Sequence, residues 1–190
     1  MSIATPLFQG QLIHLGQIDH EKDPEIVSRW SHDAGFMRMM YTEPARPLSP
    51  WQVKKKLEEL EKSIEEDKNT FHFRIRTLTD DRLMGFIELT WISWSNSNGY
   101  IRLGIGAPED RCKGYGREAL SLLLRYAFVE LNLHRLTAVI PDYNLPALAL
   151  FKSAGFAEEV RRRLALERDS RRWDLLHFGL LAGEWKENRP

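Results

Sequence analysis

The sequence predicts a mixed α+β fold, in which a mostly antiparallel, twisted sheet of about seven strands is flanked by helices. Three observations lead to this prediction. Seven runs have the length and composition of strands, and turn residues or helical patterns separate them. Three of these runs follow one another without a helix between them, so they are expected to pair as antiparallel neighbours. The runs lie at 7–15, 71–78, 83–94, 100–107, 134–140, 156–166 and 173–181.

The first 47 residues contain one strand and at least one helix. The run at 7–15 is expected to be the first strand. Pro24 then stands where the first residue of a helix would be, and apolar residues follow it at helical spacing. The segment 33–47 mixes methionines and aromatic residues with two prolines. It is interpreted either as a short helix with a loop or as a loop packed on the core.

A clearer helix follows. Ser49, Pro50 and Gln52 have the arrangement of a capping box with proline at the first helical position. The helix is expected to run to about Asp67. Five apolar residues at helical spacing are expected on its buried side: Trp51, Val53, Leu57, Leu60 and Ile64.

Three consecutive strands occupy the middle of the chain. The run 71–78 alternates apolar and polar residues, as a half-buried strand does. A hairpin turn at 79–82 leads into the long strand 83–94, and the turn 95–99 leads into the strand that begins at Tyr100. These three strands are expected to lie side by side in the sheet.

The stretch Arg111-Cys-Lys-Gly-Tyr-Gly116, which we call the glycine loop, follows the strand 100–107 and precedes a helical pattern. Glycines allow the backbone to turn sharply and to come close to a ligand. The unpaired N–H groups and the dipole of the following helix favour an anion in the same place. Arg111 and Lys113 add positive charge. The glycine loop therefore predicts a pyrophosphate site.

Two other phosphate motifs do not fit this region. A dinucleotide-binding fingerprint requires a third glycine where this chain has Glu109, and a P-loop requires a Gly-Lys-Ser/Thr tripeptide that the chain lacks. The remaining alternative is an ordinary glycine-rich turn that starts a helix.

The last third of the chain adds two helices and three strands. The helix after Gly116 has a wide apolar stripe that must pack on a sheet. The strand 134–140 that follows is expected to run parallel to 100–107, because a crossover helix joins the two. Asn144 caps a short helix that ends at Gly155, and a terminal hairpin closes the fold.

Composition excludes several functional classes. The 27 Lys and Arg residues balance 27 Asp and Glu residues, so bulk charge indicates neither a nucleic-acid nor a membrane partner. The single cysteine excludes an internal disulfide and suits the cytosol, and no signal-peptide or membrane-span pattern is present. His32 and His72 have no partners at metal-ligand spacing, so no metal is expected. At 190 residues the chain is expected to form one cytoplasmic domain, residues 1–190.

An ordered series of motifs resembles the GNAT acetyltransferase superfamily, and within it the branch of ribosomal-protein N-terminal acetyltransferases, the RimJ/RimL type. The resemblance covers essentially the whole chain, although the first 70 residues match loosely. The series consists of Leu103-Gly-Ile-Gly106, Arg111-x-x-Gly-x-Gly116, Glu118-Ala119, Leu133-His-Arg-Leu136, Asn144-x-x-Ala147, Gly155-Phe156, Trp173-Asp174 and Glu184-Trp185.

The resemblance implies a GNAT-like sheet that splays between the strand beginning at Tyr100 and the next one. It implies acetyl-CoA as the donor, with the pantetheine arm in the splay and an amine as the acceptor. Asn144 has two open interpretations, as a helix cap and as a cofactor ligand. The residues that the resemblance places at the cofactor are Ile105, Gly106, Ala107, Arg111, Cys112, Lys113, Gly114, Tyr115, Gly116, Asn144 and Phe151.

Two residues depart from the family pattern. Phe151 stands where many members have a tyrosine that protonates the leaving thiolate, and Arg102 stands where the branch often has an acidic residue. A thiol of pKa about 8.5 can leave as the thiolate, so transfer does not require that acid. Arg102 indicates that the acceptor side differs from that of the N-terminal acetyltransferases.

Direct acetyl transfer to an amine requires a proton acceptor and donors for the oxyanion. Glu88, acting through water, is the first candidate base, and its alternative roles are solvent exposure or pairing with an arginine. Asp142 is the second candidate, and Tyr143 is a candidate acid. The function that we expect is an acetyl-CoA-dependent N-acetyltransferase. The alternatives are a non-catalytic acyl-CoA-binding domain and an interaction module such as a homodimer.

Overall fold

The computed structural model describes residues 6–186, and a seven-stranded sheet forms its centre. The strands lie in the order β1-β2-β3-β4-β5-β7-β6, and only β4 and β5 are parallel neighbours. The predicted mixed, mostly antiparallel sheet is thus confirmed. The strands are β1 (Ile13–Gly16), β2 (Phe71–Thr77), β3 (Leu83–Ser93), β4 (Asn98–Ile105), β5 (Arg135–Pro141), β6 (Ala157–Arg168) and β7 (Arg171–Leu181).

Five α-helices cover the sheet. They are α1 (Pro24–His32), α2 (Ala34–Met40), α3 (Pro50–Glu66), α4 (Tyr115–Arg125), which continues into a π-helical turn, and α5 (Leu145–Ser153). A Cβ at Gly104 would meet Met40 of α2, whereas the neighbouring Leu103 packs beside Gly116 of α4. Because successive strand residues point to opposite faces, α2 and α4 lie on opposite sides of the sheet. We call the α1–α3 side the front and the α4–α5 side the back.

The back of the sheet carries the main hydrophobic core. The buried leucines of α4 pack against apolar residues of β3, β4, β5 and β7, among them Ile87, Ile101, Leu136 and Phe178. Burial of these side chains is the dominant stabilising contribution. A smaller apolar cluster on the front joins Trp30 and Phe36 to Phe86.

The sheet opens between β4 and β5. The two strands pair only where Asn98–Ile101 runs beside Arg135–Ala138. Beyond that ladder β4 continues to Ile105 and β5 to Pro141 without pairing to each other. We call the space between 102–105 and 139–141 the gap. It is the splay that the family resemblance implied.

Local signals in the sequence located most elements correctly. The Ser49 side chain accepts from Gln52 N–H while the Gln52 side chain accepts from Ser49 N–H, so the predicted capping box is present. The segment 33–47 forms a short helix with a loop, because the Asp33 carboxylate caps α2 by accepting from Phe36 N–H at 3.0 Å. Asn144 caps α5 in the same way through Ala147 N–H.

Two expectations were wrong. The first strand is much shorter than 7–15, because the Glu118 carboxylate of α4 accepts the backbone N–H groups of Gln11, Leu12 and Ile13 at 2.6–2.9 Å. Two of those residues, Gln11 and Leu12, are thereby held outside the strand, which begins at Ile13. Trp51 is 71% exposed, since it lies in the first turn of α3 on the side away from the sheet. None of the helices described within 6–186 is both long and apolar enough to cross a bilayer.

Candidate active site

The glycine loop leads into a helix N-terminus that has no side-chain cap. Gly114 precedes α4 with a φ of +94°, a left-handed conformation that favours glycine. The first helical hydrogen bond joins Glu118 N–H to the Gly114 carbonyl at 3.0 Å. The N–H groups of Tyr115, Gly116 and Arg117 therefore have no partner within the helix. This end of α4 presents unpaired amides and the positive end of the helix dipole to an anion.

The two cations predicted to assist this site have different positions. Lys113 and the neighbouring Cys112 are exposed on the loop. The Arg111 guanidinium instead donates to the carbonyls of Ile105 and Gly106 and to the Asp33 carboxylate at 2.8 Å. Arg111 therefore fastens the loop to the end of β4 and the start of α2. Burial would raise the pKa of Asp33, but the hydrogen bonds from Arg111 and Phe36 N–H outweigh it and lower that pKa.

The strand register shows which backbone groups face the gap. Gly106 N–H donates to the Met84 carbonyl at 2.9 Å, so the even-numbered residues of β4 are the ones that bond to β3. The odd-numbered residues of β4 therefore direct their N–H and C=O groups toward β5. Pairing with β5 stops at Ile101. The N–H groups of Leu103 and Ile105 consequently point into the gap with no strand beside them.

The predicted cofactor segment at the end of β4 is only partly directed at the gap. Ile105 faces it, but Gly106 N–H is bound to β3, and the Ala107 carbonyl accepts from Asp110 N–H at 3.1 Å. Gly106 has a packing role as well, because a Cβ there would overlap the indole of Trp30. Glycine at this position thus allows α1 to lie directly on the strand.

Two residues predicted at the far side of the gap hold α2 in place. The Tyr143 hydroxyl donates to the Arg38 carbonyl at 2.7 Å, and its ring packs edge-on against Trp173. The Asn144 amide donates to the Met39 carbonyl at 3.2 Å while its oxygen caps α5. Burial raises the pKa of the Tyr143 hydroxyl, so it keeps its proton at neutral pH.

Phe151 lies in the core instead of on an open surface. Only 4% of it is exposed, and its ring packs edge-on against Phe156 with the centroids 5.0 Å apart. A side chain so enclosed by protein has little area left for a cofactor. The family resemblance placed Phe151 at the cofactor, and a match in sequence position does not report which way the ring points.

Glu88 is held in a buried charged cluster on the front of β3. One carboxylate oxygen accepts from Arg102 Nη2 and Nε at 2.6 and 2.9 Å, and the other lies 3.1 Å from His72 Nδ1. Burial would raise the pKa of Glu88, but His72 and Arg102 outweigh it and lower that pKa. Of the two roles left open for Glu88, pairing with an arginine is the one observed. Asp142, by contrast, has a buried Oδ1 that makes no hydrogen bond within the described residues.

Sequence reasoning missed the partners that complete this cluster. His72 and Arg74 lie on the front of β2 opposite Glu88 and Phe86, and the buried Asp23 pairs with Arg74 and Arg76. The alternation of the strand 71–78 contained the signal, since its polar residues were assigned to solvent but face α1 and α3. Across residues 6–186 no three His, Cys, Asp or Glu side chains gather in a way that would hold a metal.

The lowered pKa of Glu88 predicts an acid-sensitive contribution to stability. A carboxyl whose folded pKa is depressed stabilises the fold above its unfolded pKa, near 4.5, and loses that contribution as the pH falls through the folded value. We expect the advantage of the wild type over Glu88→Gln in unfolding free energy to be largest near neutral pH and to shrink below about pH 4.5. Urea unfolding across this range measures it, with the exposed Glu59→Gln as control. A difference that stays constant with pH would contradict the prediction.

Comparison with known proteins identifies a family model and several named proteins to which this chain is similar. The family described as "Acetyltransferase (GNAT) domain" matches residues 13–157. The chain is 36% identical over 110 residues to the probable N-acetyltransferase YjcK of Bacillus subtilis, and the match covers 56% of this chain and 58% of that protein. It is 33% identical over 109 residues to the putative ribosomal N-acetyltransferase YdaF of the same organism, covering 57% and 59% of the two chains.

A solved structure shares the fold. The spermidine N-acetyltransferase of Vibrio cholerae, determined in complex with CoA and spermine, superposes with a TM-score of 0.76 at 23% identity. The superposition covers 90% of this chain and 96% of that one. The two chains therefore share the same overall fold.

Proposed function

This chain belongs to the GNAT acetyltransferase family and is an acetyl-CoA-dependent N-acetyltransferase, and from that premise we propose how its own residues bind the donor and transfer the acetyl group. The proposal is supported by two backbone surfaces that meet at the gap and whose N–H groups have no partner in a helix or strand. One is the N-terminus of α4, and the other is the edge of β4 at Leu103 and Ile105. Together they suit a ligand with a pyrophosphate at one end and amide groups along its arm.

In this proposal the pyrophosphate binds the N–H groups of Tyr115, Gly116 and Arg117, with Lys113 supplying the positive charge. Arg111 contributes indirectly, because its side chain holds the glycine loop against β4. The nucleotide end of the donor lies over a surface cavity of about 190 Å³ between α4 and α5. That cavity offers two cations and two hydroxyls, from Arg117, Lys186, Ser121 and Ser153.

The pantetheine arm lies in the gap, where its amides pair with the free backbone groups of β4. The thioester carbonyl then approaches Ile105 N–H, which is directed into the gap without a strand partner. A neutral amine attacks that carbonyl, so a C–N bond forms and the backbone amide stabilises the oxyanion. The C–S bond breaks, and CoA leaves as a thiolate, which its ordinary pKa of about 8.5 permits.

The attacking amine must also lose a proton. One oxygen of Glu88 accepts two hydrogen bonds from Arg102, the other lies 3.1 Å from His72 Nδ1, and the lowered pKa of Glu88 makes it a weak base. Asp142 keeps one carboxylate oxygen without a hydrogen bond in the described part of the chain, so we propose that it accepts the proton through water. We propose that this proton then passes through water to the thiolate, since the hydroxyl of Tyr143, the predicted acid, already donates to the Arg38 carbonyl.

Several broader features stay predictions. We propose that the chain belongs to the RimJ/RimL-like branch, which the likeness to the putative ribosomal acetyltransferase supports. The single-domain organisation, the cytoplasmic location and the homodimer remain predictions.

Direct attack without an acyl-enzyme is tested by kinetics on the one cysteine. The Cys112 thiol is exposed at the entrance to α4, where a helix dipole could activate it. We expect Cys112→Ala to retain wild-type turnover and initial-rate patterns to be sequential, because the amine attacks the thioester itself. Thiol release with the fastest amine of a panel measures the rates, and mass spectrometry of the protein during turnover detects any acetylated intermediate. A trapped acetyl group lost in the Cys112→Ala variant would contradict direct transfer.

A further inference from the structure

Arg102 is the charged side chain on the front of β4 at the gap. It precedes Leu103, whose N–H points into the gap, and it faces the same side as Gly104, on which α2 packs. The proposed position of the thioester, at Ile105 N–H, is three residues further along β4. An acceptor amine that approaches the thioester along the front of β4 passes beside this guanidinium.

The Arg102 guanidinium is held in place, yet it keeps donor capacity for a further ligand. Its Nε and Nη2 atoms both donate to a single oxygen of Glu88. Its Cζ atom lies over the rings of Tyr41 and Phe86, 5.0 and 5.8 Å from their centroids. The Nη1 edge makes no hydrogen bond to any described residue, and 42% of the side chain is exposed. A rigid guanidinium with one open edge is a geometry suited to binding an oxyanion.

The buried charges around Arg102 do not favour a second cation. Three arginines on the front of β2 and β4, residues 74, 76 and 102, face only two buried carboxylates, Asp23 and Glu88. Glu88 is already paired with Arg102, so its negative charge is compensated before an ammonium group arrives. Glu43, on the exposed loop after α2, makes no ion pair with Arg102 among the described residues, although it is near enough to attract it. Within this cluster positive charge is in excess by one, and Asp142, the proposed proton acceptor, lies outside it at the end of β5.

We propose that the acceptor is an amine that carries an anionic group, a carboxylate or a phosphate, beside its amino group, and that Arg102 binds this group. The proposal rests on the proposed function, since it takes the thioester to lie at Ile105. Glu88 is then a positioning residue that holds the guanidinium open toward the gap. Free amino acids, peptides with an acidic residue near the N-terminus, and aminoalkyl phosphates all fit this chemistry. Polyamines do not.

The test compares acceptors that differ only in the anion. Suitable pairs are an amino acid and its amide, a dipeptide with aspartate or asparagine in second place, and phosphoethanolamine and ethanolamine, with spermidine as the polycation. We expect the wild type to prefer the anionic member of at least one pair by about 10- to 100-fold in kcat/KM, as a charge-assisted hydrogen bond provides. The pair that shows the preference identifies the source of the anion. Equal rates within every pair, or a preference for spermidine, would overturn the proposal.

Variants separate binding of the anion from a merely structural role. Arg102→Gln should lower kcat/KM for the anionic partner much more than for the uncharged partner, so that the preference falls to about threefold or less. Arg102→Lys keeps the charge that Glu88 needs for folding but loses the forked geometry, so we expect an intermediate preference. Arg172→Gln, which breaks an exposed pair with Glu167, is the matched control and should change neither value. Equal losses for both partners in the two Arg102 variants would overturn the proposal.

Binding of acetyl-CoA is measured in parallel. A failure of the acceptor proposal can then be distinguished from a failure of the proposed donor site. Calorimetry with acetyl-CoA should give the wild-type affinity for both Arg102 variants, because their side chains face the front of the sheet. If the wild type binds acetyl-CoA and acetylates only amines without an anion, the acceptor proposal is overturned and the placement of the donor stands. A loss of acetyl-CoA affinity in Arg102→Lys would overturn the assignment of Arg102 to the acceptor side.

Discussion

Gly116→Val is expected to lower the affinity for acetyl-CoA by about 100-fold or more. A Cβ at this position would lie 3.5–3.7 Å from side-chain carbons of Leu103, Ile105 and Leu150. Those are ordinary contact distances, so the fold can accept a side chain here. The added methyl groups, however, would occupy the space between α4 and the edge of β4 through which the donor must pass. Losing one or two charge-assisted hydrogen bonds to phosphate accounts for a change of this size.

Calorimetry gives the affinity, and urea unfolding gives the stability. Gly116→Ala adds only the Cβ, so it should show part of the loss with an unchanged fold. Gly183→Val is the matched control, because a Cβ at Gly183 meets nothing within 4 Å. Gly114 is a poorer probe, since its φ of +94° would strain any other residue. Wild-type affinity in a folded Gly116→Val protein would show that the donor does not bind at this helix.

Asp23→Ala is expected to cost about 3–5 kcal/mol of unfolding free energy. Asp23 is fully buried, and its carboxylate lies 2.5 Å from Arg76 Nη2 and 3.4 Å from Arg74 Nε. Removing it leaves two nearly buried guanidinium groups without their nearest counter-charge. Such an uncompensated buried charge is among the most destabilising single changes. For a domain of this size the loss corresponds to a fall in Tm of roughly 6–20 °C.

Thermal and urea unfolding measure this loss. Glu167→Ala is the matched control, because it removes a carboxylate from a mostly exposed pair with Arg172 and should cost no more than about 1 kcal/mol. An Asp23→Ala protein as stable as the control would mean that solvent reaches the two arginines, and the buried cluster would not exist as described.

The order of the elements could be predicted because local signals determine it. Alternation marked β2, proline and capping residues marked α1 and α3, and Gly155 marked the end of α5. The glycine loop was recognisable for the same reason, since a turn followed by a helix is a property of adjacent residues. The gap could also be predicted, but only from the resemblance to a known family.

The partners within the site could not be predicted, because they are distant in sequence. The Arg111 side chain binds Asp33, which lies 78 residues away in the sequence. From its place beside the helix N-terminus alone, a phosphate was the expected partner of Arg111. Glu88 and Arg102 became a pair only when the register of β3 and β4 set them opposite each other. Phe151 shows the same limit, since spacing along a helix does not tell whether a ring faces the core or a ligand.

The gap affects how the substrate of such an enzyme can change during evolution. The surface assigned to the donor consists largely of main-chain amides, which every residue except proline supplies. Substitutions along β4 and α4 can therefore accumulate without loss of the cofactor, provided that the glycines which permit close approach remain. The proposed acceptor site depends instead on a few side chains, with the paired Arg102 and Glu88 at its centre. A new substrate can thus arise by exchanging those few residues, while the chemistry of acetyl transfer is inherited unchanged.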